Sequence, residues 1–178
     1  LGKHRRDFYL RRAEFVQQWH LCQVTNHEEL EGDAEIALRG ADAMIAFSAP
    51  GPGTVKPEWI KQMAKNAIVL AGANPIPEIW PWEAAEAGAM VVATGRSDFP
   101  NQVNNSLGFP GIFRGALDVR ARTITDEMAI AASETLARMA EEKGLSPDHL
   151  LPTMEEWEIF PREAAAVAVK AVEQGVAQ

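Results

Sequence analysis

Ala43-Met-Ile-Ala-Phe47 runs directly into Ser48-Ala-Pro-Gly-Pro-Gly53. A brief apolar run halted by a glycine and proline loop has the form of a strand buried on both faces that leaves the sheet in a tight turn. The unit recurs twice. Pro57 to Ala64 reads as a helix with proline in its first turn, Ala67 to Ala71 as an apolar strand, and Asn74-Pro-Ile-Pro77 as the loop that ends it. Pro81 to Ala87, Ala89 to Ala93 and Thr94-Gly-Arg-Ser-Asp98 then repeat helix, strand and loop. Three strands separated by short helices predict an α/β fold, a parallel sheet with helices on its faces.

Upstream, Asp7 to Trp19 carries a loose helical pattern, and Asn26 or His27 is positioned to cap a helix over Glu28 to Leu38 that closes at Arg39-Gly40. Downstream the character changes to all-α. Asn104 to Asp118, Thr125 to Lys143 and Arg162 to Gln174 read as helices, the middle one with Met128, Ala132, Leu136 and Met139 at helical spacing behind Thr125 as cap. This tail is expected to pack on the sheet. Pro152 to Pro161 reads as an ordered loop anchored to the chain's own core. The expectation is one domain over residues 1–178, with a sheet portion at about 25–105 and a helical tail at about 104–178.

The 178 residues are 47% hydrophobic and 24% charged, as in ordinary globular proteins. A formal net charge of −8 argues against nucleic acid, whose binding draws on clustered cations, and the cluster Lys3 to Arg6 with Arg11 and Arg12 is short. Cys22 is the only cysteine, so no internal disulfide or Cys-based zinc site forms, in keeping with a cytoplasmic location. No run approaches the roughly 18 to 20 apolar residues of a membrane span. The chain opens on Leu1 and a charged stretch, the form expected of an excised or processed segment.

In an open parallel sheet, ligands bind beyond the carboxyl ends of the strands, which selects the loops 48–54, 72–78 and 94–105. Gly51 and Gly53 permit close approach of a ribose or pyrophosphate, though a rigid turn without a ligand explains them equally well. Asn74 offers both donor and acceptor at a strand exit. The third loop crowds Arg96, Asn101, Gln102, Asn104 and Asn105 at the mouth of an apolar fold, which suggests a multiply hydrogen-bonded ligand beyond what helix capping and loop backbone would use. No Gly-x-Gly-x-x-Gly, P-loop, Gly-x-Ser-x-Gly or His-Glu-x-x-His motif is present. The four histidines stand apart, and Glu155, Glu156 and Glu158 read as a solvated face. The residues by themselves name no reaction.

Longer motifs do. Ala73-Asn-Pro-Ile-Pro-Glu-Ile79, Glu86-Ala-Gly-Ala89 and the run Val92-Ala-Thr-Gly-Arg-Ser-Asp-Phe-Pro-Asn-Gln-Val-Asn-Asn-Ser-Leu-Gly-Phe-Pro-Gly-Ile-Phe-Arg-Gly-Ala-Leu117 resemble the short-form prokaryotic malic enzymes, with Leu38-Arg-Gly-Ala-Asp42 and Lys56-Pro-Glu-Trp-Ile60 in the right order around them. The resemblance covers about residues 25–140. It implies the C-terminal part of an NAD-binding domain: a partial Rossmann-like parallel sheet with flanking helices and an all-α C-terminal tail, in three layers. It implies an enzyme that oxidises L-malate with NAD or NADP and decarboxylates to pyruvate and CO2 with magnesium or manganese. By the same resemblance Asn74 and Asn105 contact substrate, Ser48, Ala49, Gly51, Asn74 and Asn104 lie along the cofactor, and the partner is a second copy in a dimer. The family's catalytic tyrosine and lysine, metal ligands and glycine fingerprint lie upstream of the matched segment, so no catalytic residue or metal ligand is assigned here and the segment alone is expected to be inactive. The alternative is a separately encoded nucleotide-binding subunit or regulatory module that needs a partner chain.

Overall fold

The computed structural model describes residues 5–178. Three four-residue strands, β1 (Ala43–Ala46), β2 (Ile68–Ala71) and β3 (Val91–Thr94), form a parallel sheet in the order β1-β2-β3. The register pairs Met44 with Val69 and Val69 with Val92. Helices α1 (Arg5–Leu10), α2 (Val16–Val24) and α3 (Ala34–Leu38) precede the sheet, and α4 (Pro57–Ile60) and α5 (Pro81–Glu86) connect its strands. Successive side chains of a strand point to opposite faces. Met44, Val69 and Ala71 therefore share one face, which packs with Ile60, Ile79 and Ala84 into the first core. The opposite face is open at β1 and β2, where Ile45 is 67% and Ile68 38% exposed.

The tail consists of α6 (Phe109–Asp118), α7 (Asp126–Lys143) and α8 (Ile159–Glu173). It was expected to rest on the sheet. Its principal contacts are instead internal, α6 and α7 both against α8, around two cores of its own. Ala116, Met128, Ala132, Val167 and Ala171 build one, and Leu107, Met139 and Ile159 the other.

The strands lie within two residues of their predicted positions, whereas several helices are shorter or displaced. The helix predicted over Asp7 to Trp19 is two helices, α1 and α2, parted by a turn at 11–14. Neither Asn26 nor His27 caps a helix. Asn26 takes a left-handed conformation and closes a loop through both side-chain atoms on Leu30, and Asp33 caps the five-residue α3 by accepting from the Glu35 amide. The helix predicted from Asn104 starts five residues later. Asn104 spends its side chain on the Ser106 amide, holding 104–108 in turns, and Pro110 sets the start of α6 in its first turn. Thr125 caps α7 as predicted, accepting from the Met128 amide.

Candidate functional site

The three loops that leave β1, β2 and β3 lie side by side because their strands are parallel neighbours. Gly51 and Gly53 in the first loop have φ of +122° and +93°, a region side-chain-bearing residues rarely enter, and a Cβ at either would meet nothing within 4 Å. Their glycine identity answers a conformational need and leaves open space outside the loop. The polar groups of this loop are turned towards its neighbour. Ser48 donates its backbone N–H at 2.7 Å and its hydroxyl at 3.1 Å to one oxygen of Glu78, and the Gly51 amide donates to the Ile76 carbonyl at 3.2 Å. The Ala49 carbonyl accepts from the Thr54 hydroxyl at 3.3 Å. Of the residues expected along a cofactor, Ser48 and Gly51 thus have their amide donors committed within the protein.

Glu78 is the residue that sequence reasoning missed. It is fully buried, and its other oxygen accepts from the Ala73 amide at 3.1 Å. The available signal was one carboxylate inside the otherwise uncharged stretch Ile76 to Trp80, where burial demands donors from elsewhere.

The third loop folds mostly on itself. Arg96 forms a fork with Asp98 at 2.8 and 2.7 Å and donates to the Pro75 carbonyl at 2.9 Å. Its guanidinium lies 6.0 Å from the ring centre of Trp80 and 5.8 Å from that of Phe99. The hydrogen bond and opposite charge lower the Asp98 carboxyl and raise the Arg96 guanidinium, so both stay ionised. Asn101 is buried, donates to the carbonyls of Val92 (3.0 Å) and Pro147 (2.6 Å), and accepts from the Leu150 amide at 2.8 Å. Gln102 reaches only the Met154 sulfur, at 3.9 Å. Asn104 donates to the Gly95 carbonyl at 2.6 Å and accepts from the Ser106 amide at 2.9 Å. The polar density of this loop, read from sequence as ligand-directed, is mainly structural, because buried loop backbone requires these partners.

Two amides are left over. Asn74 and Asn105 are exposed, and within the described residues neither side chain makes a hydrogen bond. Asn74 and Asn104 meet at Gly95: Asn104 holds its carbonyl, and a Cβ at 95 would stand 3.2 Å from both carboxamide atoms of Asn74. Asn105 follows Asn104 directly in the chain. Free carboxamides from two neighbouring loops can each offer a donor and an acceptor to one small polar ligand. The region is an open shelf. A cavity of about 450 Å³ lies elsewhere, among α1 and α2, lined by Arg5, Tyr9, Trp19 and Cys22, and shares no residue with the three loops.

The donors for a divalent metal are not gathered here. Among the described residues no group of three or more His, Cys, Asp or Glu side chains comes together to hold one. No described helix is long and apolar enough to cross a membrane.

The family model "Malic enzyme, NAD binding domain" matches residues 3–175. The bifunctional malic/malolactic enzyme of Bacillus subtilis is 49% identical over 158 residues, and the NAD-dependent malic enzyme of Geobacillus stearothermophilus 47% over 157. The crystal structure of the Entamoeba histolytica malic enzyme superposes with a TM-score of 0.92 at 56% identity over 97% of this chain. The chain covers 38%, 32% and 35% of those three proteins, about a third of their length. A parallel sheet with its loops gathered at one end, an all-helical tail and a match along nearly the whole sequence place this chain in the malic enzyme family, within its NAD-binding domain.

Proposed function

We propose that this segment forms the cofactor and substrate wall of a cytoplasmic, dimeric malate oxidoreductase that converts L-malate to pyruvate and CO2 with reduction of NAD or NADP. The observation that carries the reading is the pair of unbonded, exposed carboxamides of Asn74 and Asn105 on adjacent loops, beyond the carboxyl ends of β2 and β3. A loop with open space outside Gly51 and Gly53 lies beside them on β1. A bound nicotinamide nucleotide supplies the hydride acceptor for C2 of malate. The chain's own work is to bind and orient. The Asn74 and Asn105 amides meet the hydroxyl, a carboxylate or the nicotinamide carboxamide, and fixing these groups in a reactive pose lowers the entropic cost of transfer. Asn104 holds the Gly95 backbone against which Asn74 rests.

The test is a steady-state assay of the whole protein that carries this segment, with malate, manganese and NAD or NADP. Malate-dependent formation of reduced nucleotide and pyruvate is expected; reduction without pyruvate, or no reaction with either nucleotide, refutes the assignment. The 178-residue segment alone, assayed identically, is expected to show negligible turnover, and a rate comparable to the whole protein's overturns the view that it is a wall and not a complete site.

A further inference from the structure

The geometry points to Glu78 as a positioning residue that locks the nucleotide-side loop of β1 to the substrate-side asparagine after β2, so that Asn74 and the 48–54 loop are set as one unit. The inference rests on the function proposed above and adds a residue to it. Glu78 is fully buried, yet it is not spent on packing alone, since both oxygens are occupied and every donor comes from a loop at the strand ends. One oxygen takes the Ser48 amide and hydroxyl, the first polar groups after β1, and the other takes the backbone N–H of Ala73, the residue directly before Asn74.

Two backbone bonds complete the join. The Gly51 amide donates to the Ile76 carbonyl at 3.2 Å and the Val55 amide to the Glu78 carbonyl at 3.1 Å, so the first loop is fastened to the second at its start, its middle and its end. Only the fastening at the start runs through a side chain. A carboxylate is suited to it because it presents acceptors alone, and all three partners are donors. The orientation of the Ala73 peptide governs where the Asn74 carboxamide can reach, and the same carboxylate fixes the start of the nucleotide-side loop.

Glu78→Gln keeps the volume and breaks this match, since one end of the amide must now face a donor with a donor. A side chain that merely stabilised the core would lower stability and the fraction of folded enzyme while leaving the Michaelis constants of the folded molecules unchanged. For the whole protein we expect Glu78→Gln to raise KM for malate and for the nucleotide together, each by about tenfold. Ser48→Ala removes one of the three bonds and leaves the burial of Glu78 intact, which guards against a variant that fails to fold. It should raise the malate KM by about two- to threefold, although Ser48 lies on the nucleotide side. Hydrogen exchange read by mass spectrometry should show peptides over residues 44–54 and 72–80 losing protection together in both variants. Unchanged KM values with only a lowered Tm, or loss of protection in one loop alone, overturn the lock. If the unaltered protein turns over no malate, the proposed function fails, and the lock is still judged by the exchange result: joint deprotection upholds it and unaltered protection sinks it.

Discussion

Glu163 on α8 lies against Gly111 on α6 so closely that a Cβ added at position 111 would stand 2.5 Å from the Glu163 Cβ and 2.6 Å from its Oε2. Glycine at 111 therefore sets the approach of the two helices, and α6 begins only four residues after Asn105. Gly111→Ala must push α6 away from α8. A destabilisation of about 1–3 kcal/mol is expected from such overpacking, read as a Tm lower by several degrees in differential scanning calorimetry; an unchanged Tm would show that the helices are not in contact at this point.

The same glutamate has both oxygens buried without a hydrogen-bond partner. Burial pushes its carboxyl from the ordinary value of 4.5 up to about 8. The folded state thus keeps a proton that the unfolded chain has released, and stability falls as pH rises from about 4.5 through about 8, then levels off. Glu163→Leu should abolish this part of the slope, so that its Tm exceeds that of the unaltered protein by more at pH 9 than at pH 5. Parallel Tm curves for the two proteins across that range would contradict the assignment.

Asn101 ties the third loop to the segment before α8 through the Pro147 carbonyl and the Leu150 amide, and to β3 itself through the Val92 carbonyl. Asn101→Leu takes the partner from these part-buried groups, at a cost of about 1 kcal/mol for a group that water can still reach. Increased exchange of the Leu150 amide beyond that of distant helices is the specific sign. A uniform loss of protection would mean that Asn101 serves the fold generally and not this junction.

An apolar strip lies along the open edge of the sheet, with Ile45 at 67% and Phe47 at 73% exposure on and just beyond β1, which has a strand neighbour on one side only. Unpaired strand edges are templates for another chain. The isolated segment should self-associate at micromolar concentration, and Ile45→Lys with Phe47→Lys should shift it towards monomer in light scattering. A monomeric mass for the unaltered segment would contradict this.

Much of the fold was legible because strands buried on both faces leave short apolar runs, and each run here is stopped by glycine, proline or asparagine. Helix boundaries were less so: Asn26 and Asp33 are equally good caps on paper, and the choice was made by the Asn26 side chain closing on Leu30. In the candidate site, the exposure of Asn74 and Asn105 agrees with their position in loops at the strand ends, whereas the internal duties of Arg96 and Asn101 could not be read. Their partners are the backbone carbonyls of Pro75 and Pro147, and a carbonyl leaves no mark on a sequence. Glu78 escaped because two of its three donors are backbone amides and the third, the Ser48 hydroxyl, lies 30 residues away.

The account turns on the unbonded amide of Asn105, and the most direct measurement is the malate KM of Asn105→Ala in the whole protein beside that of Asn104→Ala. The Asn105 carbonyl accepts from the Gly108 and Phe109 amides, which alanine at 105 retains, while its side chain makes no hydrogen bond. Asn105→Ala should therefore raise the malate KM about tenfold or more with Tm nearly unchanged, whereas Asn104→Ala should lower Tm by freeing the Gly95 carbonyl. A malate KM left unaltered by Asn105→Ala would contradict the account.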